Sequence, residues 1–165
     1  MRETRSDVEN QVRWPAWAMA ALFLGYGVGK AVFAAQGKLG FPGGPVVPAA
    51  EYAAYAHDMM DVTVAQWLAA SNGVLGALLV LATVVRAGRR VPRILMLGAL
   101  AVTAIGVGAG MVVLVADGFL GLGVGWRWYH GVLGIAVLGL LGMTIRSYVR
   151  ATRKPPRARQ LRLPA

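Results

Sequence analysis

The amino-acid sequence predicts an all-α fold: an integral membrane four-helix bundle with antiparallel helices and a short amphipathic helix in the first outer loop. Hydrophobic residues make up 57% of the chain and charged residues only 15%, whereas about a quarter of an ordinary soluble domain is charged. Four uncharged runs are long enough to cross a hydrocarbon core of about 30 Å. Basic residues cluster in the segments that flank these runs. The protein is therefore expected to lie in a lipid bilayer.

The basic turn at residues 86–93 predicts the orientation of every helix. Four arginines fall within these eight residues, beside a glycine and a proline that favour a tight turn. Short arginine-rich loops stay on the cytoplasmic side during membrane insertion, so both termini are predicted to be cytoplasmic. The abundance of Ala, Gly and Arg is typical of a GC-rich bacterium, which gives the inner membrane as the expected location. The basic residues expected to anchor this side to anionic lipid headgroups are Arg86, Arg89, Arg90, Arg93, Arg146, Arg150, Arg153 and Lys154.

The first transmembrane span is predicted at residues 14–36, after a cytoplasmic tail of mixed charge at residues 1–13. Trp14 suits the headgroup level, and Pro15 is tolerated in the first turn of a helix. The uncharged run is long for the apolar core of a signal peptide, which favours a retained helix. Cleavage near Ala34 is the alternative, and it would leave three spans.

The first outer loop combines a turn-rich segment with an amphipathic one. Glycines and prolines recur between residues 37 and 48 and interrupt regular structure. In residues 49–61 the side chains of Tyr52, Tyr55 and Met59 share one helical face. This spacing predicts a short helix that lies on the bilayer surface or covers the bundle.

Three further spans are predicted at residues 63–85, 94–116 and 127–145, so the transmembrane domain covers residues 14–149. Residues 150–165 form a basic cytoplasmic tail, and each basic residue near anionic headgroups contributes about 1 kcal/mol of attraction. In the second span small residues recur every four positions, which predicts a face that packs closely against other helices. These small residues are Ala69, Gly73 and Ala77.

Two polar residues within the spans are functional candidates, because an ionisable or amide group in hydrocarbon needs a partner. Lys30 lies about 24 Å above the inner boundary at 1.5 Å per residue. Its side chain can snorkel to the outer headgroups or pair with Asp117 or Asp61 inside the bundle. Asn72 is expected to bond a neighbouring helix or to line a polar path. The full candidate polar site is Lys30, His57, Asp61, Asn72, Asp117 and His130.

The same side chains do not form a complete metal site. His57 and Asp61 are four residues apart, a spacing that can hold a metal, and His130 is a further potential ligand of a metal or haem iron. Two side chains do not complete a coordination sphere. The chain has no cysteine, which excludes disulfides and Cys-ligated metals. No catalytic residue, no metal site and no required cofactor is predicted.

The formal net charge of +10 does not indicate a nucleic-acid partner. Fourteen of the seventeen Lys and Arg residues fall at residues 1–13, in the turn at residues 86–93 and at residues 146–165. All three places flank apolar runs, which is the distribution of a membrane topology signal rather than of a nucleic-acid footprint.

Several short motifs resemble the DoxX-like family of small bacterial membrane proteins. They are Gly27-Val-Gly-Lys30 late in the first span, Phe41-Pro-Gly-Gly in the outer loop, and a glycine-rich segment from Asn72 to Val85-Arg86. The resemblance covers about residues 20–110. It implies a four-helix membrane fold and association with quinone-linked oxidoreductases. Where this chain has Asn72, members of the family often have a glutamate.

The lack of a complete catalytic set predicts a non-catalytic structural or accessory subunit of a membrane complex. Its partners would be the lipid bilayer and either a second copy of the chain or another membrane protein. The resemblance gives one alternative, a redox subunit that binds quinone or haem near the outer leaflet. A second alternative is the protomer of a transporter for ions or small solutes, with Lys30, Asn72 and Asp117 along its path.

Overall fold

The computed structural model describes residues 11–40, 43–47, 61–122 and 125–153 of the chain. Within these residues it is a bundle of four helices. Each helix is long and apolar enough to cross a membrane, which confirms the predicted all-α four-helix membrane fold. The helices are α1 (Trp14–Ala35), α2 (Val62–Ala82), α3 (Arg93–Leu120) and α4 (Trp128–Ala151).

Two small elements connect the helices. A hairpin of two short antiparallel strands, β1 (Leu39–Gly40) and β2 (Val46–Val47), follows α1. A 3-10 turn at Ala87–Arg90 joins α2 to α3. The surface helix predicted at residues 49–61 lies outside the described residues except for Asp61, and most of the basic tail at residues 150–165 lies outside them too.

The last two helices are longer than the sequence predicts. α3 continues past Asp117 to Leu120, because the carboxylate of Asp117 is buried and accepts the backbone N–H of Trp126 at 2.7 Å instead of turning into solvent. Gly121 then ends the helix with φ 65, a left-handed conformation that glycine adopts without strain. α4 continues past Arg146 to Ala151. Its last turns therefore extend beyond the uncharged run and include Arg150.

Helices α1 and α2 form the closest pair, because glycines let their backbones touch. A Cβ atom added to Gly73 would lie 2.8 Å from the Cα of Gly27 and 2.8 Å from the carbonyl oxygen of Phe23. The ring of Phe23 lies equally close to Gly76. The predicted small-residue face of the second span therefore does pack against another helix, with Gly73 and Ala77 buried and Ala69 half-buried.

The second pair, α3 and α4, joins the first through contacts between α1 and α4, whereas α2 and α3 touch at few positions. All four helices contribute to the main apolar core. A second cluster, of Met96, Leu100 and Tyr148 with Leu79 and Ala82 packed against it, lies near the turn that joins α2 to α3. The bundle is thus closed at its predicted cytoplasmic end, with α3 held mainly by α4.

Candidate functional site

The β1–β2 hairpin lies over the predicted outer end of the bundle, and its fold depends on Gly40. Gly40 has a φ angle of 141°, a conformation that residues with a side chain rarely adopt. A Cβ atom there would also lie 2.6 Å from the carbonyl oxygen of Pro45. Each strand of the hairpin is two residues long, and Leu39 pairs with Val47 and Gly40 with Val46. So short a hairpin is not stable alone in water, so the helices below it must hold it.

Two side chains from different helices converge on the carbonyl oxygen of Gly40. The ammonium Nζ of Lys30, on α1, donates to it at 2.7 Å, and the amide Nε2 of Gln66, on α2, donates to it at 3.2 Å. Gln66 also donates to the carbonyl of Lys38 at 3.0 Å and is only 1% exposed. The Lys30 ammonium lies 5.7 Å from the ring centroid of Tyr26, a distance at which a cation and an aromatic face attract.

His130, at the start of α4, holds the other side of the hairpin. Its Nδ1 accepts the backbone N–H of Arg127 at 3.1 Å, and its Nε2 lies 3.0 Å from the carbonyl oxygen of Gly43. Because Nδ1 acts as an acceptor, the proton of a neutral ring sits on Nε2 and is donated to Gly43. The rings of Trp126 and Tyr129 pack against the imidazole at centroid distances of 4.9 and 4.2 Å.

We call the hairpin together with Lys30, Gln66 and His130 the outer cap. Three helices each contribute one polar side chain to it, and these side chains bond the backbone carbonyls of Lys38, Gly40 and Gly43. Among the described residues, no buried side-chain nitrogen or oxygen lacks a hydrogen-bond partner. The outer cap is therefore a set of hydrogen bonds that orders the backbone of the hairpin.

The remaining candidate residues lie elsewhere. Asp61 begins α2 and accepts the backbone N–H groups of Thr63 and Val64 at 2.8 and 3.2 Å, which makes it a helix N-cap. Asp117 orders the connection between α3 and α4 through Trp126. Asn72 is exposed on the outside of α2. His57 lies outside the described residues.

The structure thus brings Lys30 and His130 to one hairpin but leaves Asn72 apart from them. The ammonium of Lys30 donates to a backbone carbonyl of the hairpin, that of Gly40. In the described part of the chain, no three His, Cys, Asp or Glu side chains are grouped as metal ligands.

Gln66 is important in the outer cap but is absent from the candidate residues predicted from the sequence. Its signal in the sequence is its register, because Gln66 precedes Ala70, Gly73 and Ala77 by four, seven and eleven residues and so shares their helical face. A polar residue on a face that packs against another helix must find a buried partner. The structure supplies that partner as the hairpin backbone.

A cavity of about 350 Å³ lies at the opposite end, between the α2–α3 turn and the end of α4. Arg89, Arg90 and Arg93 contribute to its walls, and Arg93 donates from Nε to the hydroxyl of Thr152 at 3.1 Å. Gln11 closes one side by donating to the carbonyl of Thr83 at 3.1 Å. The cavity therefore presents positive charge at the predicted cytoplasmic surface.

The turn beside this cavity requires glycine at residue 88. A Cβ atom on Gly88 would overlap the carbonyl group of Ala82, at the end of α2. This close approach packs the turn directly against the end of α2.

Comparison with known proteins gives no relative: no family model, no curated protein and no solved structure matches the chain.

Proposed function

We propose that this membrane protein is a non-catalytic structural or accessory subunit of a complex in the bacterial inner membrane, with both termini in the cytoplasm. The observation that carries the proposal is the outward face of α3. Val102 and Ile105 on this face are 72% and 73% exposed. Gly98, Gly106 and Gly110 have nothing within 4 Å of the position that a Cβ atom would take. Small residues on a lipid-facing helix allow a helix of another subunit to approach closely.

The outer cap supports a structural role as well. A redox subunit of the DoxX-like kind would use Lys30 and His130 to hold quinone or haem, but both side chains already bond backbone carbonyls of the hairpin. Binding such a group would require those bonds to break. We therefore expect an optical spectrum of the purified protein to lack a haem band, and lipid extracts to contain no stoichiometric quinone.

The basic cavity supports the proposed orientation and a preference for anionic lipid headgroups. Arginine forms paired hydrogen bonds with phosphate oxygens, and basic pockets between helices on the cytoplasmic side suit acidic headgroups. Arg89, Arg90 and Arg93 line a space of about 350 Å³, which is large enough for a phosphate group. Such contacts would hold the subunit at a fixed depth in the inner leaflet.

The experiment that tests the subunit role is site-specific photocrosslinking in native membranes. A photoreactive residue at Ile105 is expected to yield a discrete adduct with another membrane protein. The matched control is Val28 on α1, which is also apolar and is 65% exposed. A crosslinked product at Ile105 and none at Val28 supports the proposal. Equal labelling at both positions, or none at Ile105 or Val102, would overturn it.

A further inference from the structure

Asn72 occupies the place in the bilayer where a polar side chain is least expected. It lies ten residues after Val62 and ten before Ala82, the two ends of α2, and so about 15 Å from either end of the span. Its side chain is exposed on the surface of the bundle. In the described part of the chain, its amide has no hydrogen-bond partner.

The neighbouring Ser71 shows what a tolerated polar group looks like at this depth. Ser71 is also exposed, but its hydroxyl donates to the carbonyl of Trp67 in the preceding turn at 2.9 Å. The side-chain amide of Asn72 is bonded to no such group, and in hydrocarbon no water is available to satisfy it. An amide in this position needs a partner from outside the chain.

The residues around Asn72 form a regular apolar strip. Leu68 precedes it by four residues and Leu75 follows it by three, and these leucines are 50% and 62% exposed. Leu79 follows by a further four residues and is half-buried. Alternating steps of four and three keep side chains along one side of a helix, and this is the spacing by which two helices interlock.

We infer that a second copy of this chain packs on the α2 strip of Leu68, Asn72 and Leu75, with the two Asn72 amides bonded to each other across a two-fold axis. An amide has both donor hydrogens and an acceptor oxygen, so two facing copies satisfy each other. A two-fold interface places each residue opposite the same surface of its partner. One asparagine among leucines also fixes the register of such a pair.

This inference deepens the proposed subunit role by naming one partner, and it uses a different helix from the α3 face. It rests on the membrane setting of that proposal. The α2–α3 contact does not block it, because α3 touches α2 at few positions and the leucines of the strip remain exposed.

The experiment exploits the absence of cysteine from the sequence. Purified Leu75→Cys protein in liposomes is oxidised with copper–phenanthroline, and a disulfide-linked dimer is expected. Val74→Cys is the matched control, because Val74 is 47% exposed at the same depth but points about 100° away around the helix. We expect little dimer from this control.

Asn72→Leu in the Leu75→Cys background then tests the amide. The dimer yield at low protein-to-lipid ratio is expected to fall about threefold or more, as for loss of a hydrogen bond between membrane helices. Ser71→Ala should leave it unchanged, and Asn72→Gln should preserve most of it. Equal crosslinking of Leu75→Cys and Val74→Cys, or an unchanged yield with Asn72→Leu, would overturn the inference. If the Ile105 photoadduct persists in that case, the subunit role stands without self-association.

Discussion

At the scale of single residues, the outer end of the molecule depends on side chains that reach for one carbonyl group. Gly40 O accepts from Lys30 and from Gln66, which come from different helices. Gln66 contributes a further bond to Lys38 O and is almost fully buried. Such a residue is costly to replace, because both carbonyls that accept from Gln66 would lose a donor.

Replacing Gln66 with leucine is expected to destabilise the protein by about 1–3 kcal/mol, because two partly buried hydrogen bonds to the hairpin backbone are lost. The loss is measured as a lower unfolding temperature in detergent and as faster proteolysis of the hairpin. Ser71→Ala is the control, since the Ser71 hydroxyl bonds only its own helix at an exposed position, and its effect should stay within about 0.5 kcal/mol. A Gln66→Leu protein as stable as the unchanged one would contradict the outer cap.

Lys30 and Gln66 should also be coupled. In either single variant, Gly40 O retains one donor, whereas the double variant Lys30→Leu/Gln66→Leu leaves it with neither. We therefore expect the double variant to lose more stability than the two single variants together, by about 0.5–3 kcal/mol in a double-mutant cycle. Strict additivity would show that the two donors act independently.

The depth of Lys30 in the membrane can be predicted from the sequence, but its hydrogen-bond partner cannot. Counting residues from Trp14 predicts that its ammonium lies near the outer headgroups, and in the structure the ammonium bonds the hairpin that follows α1. The acceptor belongs to a hairpin whose path depends on the left-handed Gly40, and a long-range bond of this kind leaves no periodic signal. For the same reason the partner of His130, eighty-seven residues earlier in the chain, does not follow from the sequence.

At the scale of elements, glycines differ in what surrounds them. Gly73 in α2 lies against the backbone of Gly27 and Phe23, whereas Gly106 in α3 faces open space. Both are recognisable in the sequence as members of small-residue patterns. Only the packing distinguishes a small-residue face that contacts another helix of the same chain from one that is left open to lipid or another protein.

Gly73→Ala is expected to destabilise the protein by about 1–3 kcal/mol, because the added methyl group would push α1 and α2 apart. Gly106→Ala, with nothing within 4 Å, is the matched control. It should be neutral or slightly stabilising, because alanine is favoured over glycine in a helix by up to about 1 kcal/mol. Thermal unfolding of both variants in the same detergent gives the comparison. Equal losses would show that α1 and α2 are not in backbone contact.

Helix positions were predictable because apolar length is a strong signal, whereas the C-terminal ends of α2, α3 and α4 were not. Residue 116 is a reasonable end for α3 if Asp117 faces water. The structure instead buries Asp117 at 1% exposure and gives it the N–H of Trp126. That bond spans nine residues across a connection, so the composition of the run cannot reveal it.

At the scale of the whole molecule, the two ends of the bundle differ in their charge. The arginines of the α2–α3 turn and of the end of α4 lie at one end with the basic cavity, and the outer cap lies at the other. By the positive-inside rule, this polarity predicts that the end with the basic cavity faces the cytoplasm. A probe placed at Gly88 would disturb the fold, because Gly88 is packed against Ala82. Probes of orientation therefore belong at other positions of the turn.

We expect a cysteine at Arg90 to be protected from a membrane-impermeant maleimide in intact cells and to react once the inner membrane is opened. A cysteine at Val46 should react in both cases after the outer membrane is permeabilised. Both positions are exposed, at the turn and at the hairpin respectively, so the difference reports sidedness and not burial. The reverse pattern would invert the topology and move the basic cavity to the periplasm.

The bond between His130 and Gly43 has a consequence for how the protein is made. It joins the first connection of the chain to the start of the last helix, so the hairpin cannot be completed while α4 is still in the ribosome. Nascent chains ending before residue 128 would lack this bond. Helix α4 therefore helps to hold the first connection, and this contact can form only after residue 130 has been synthesised.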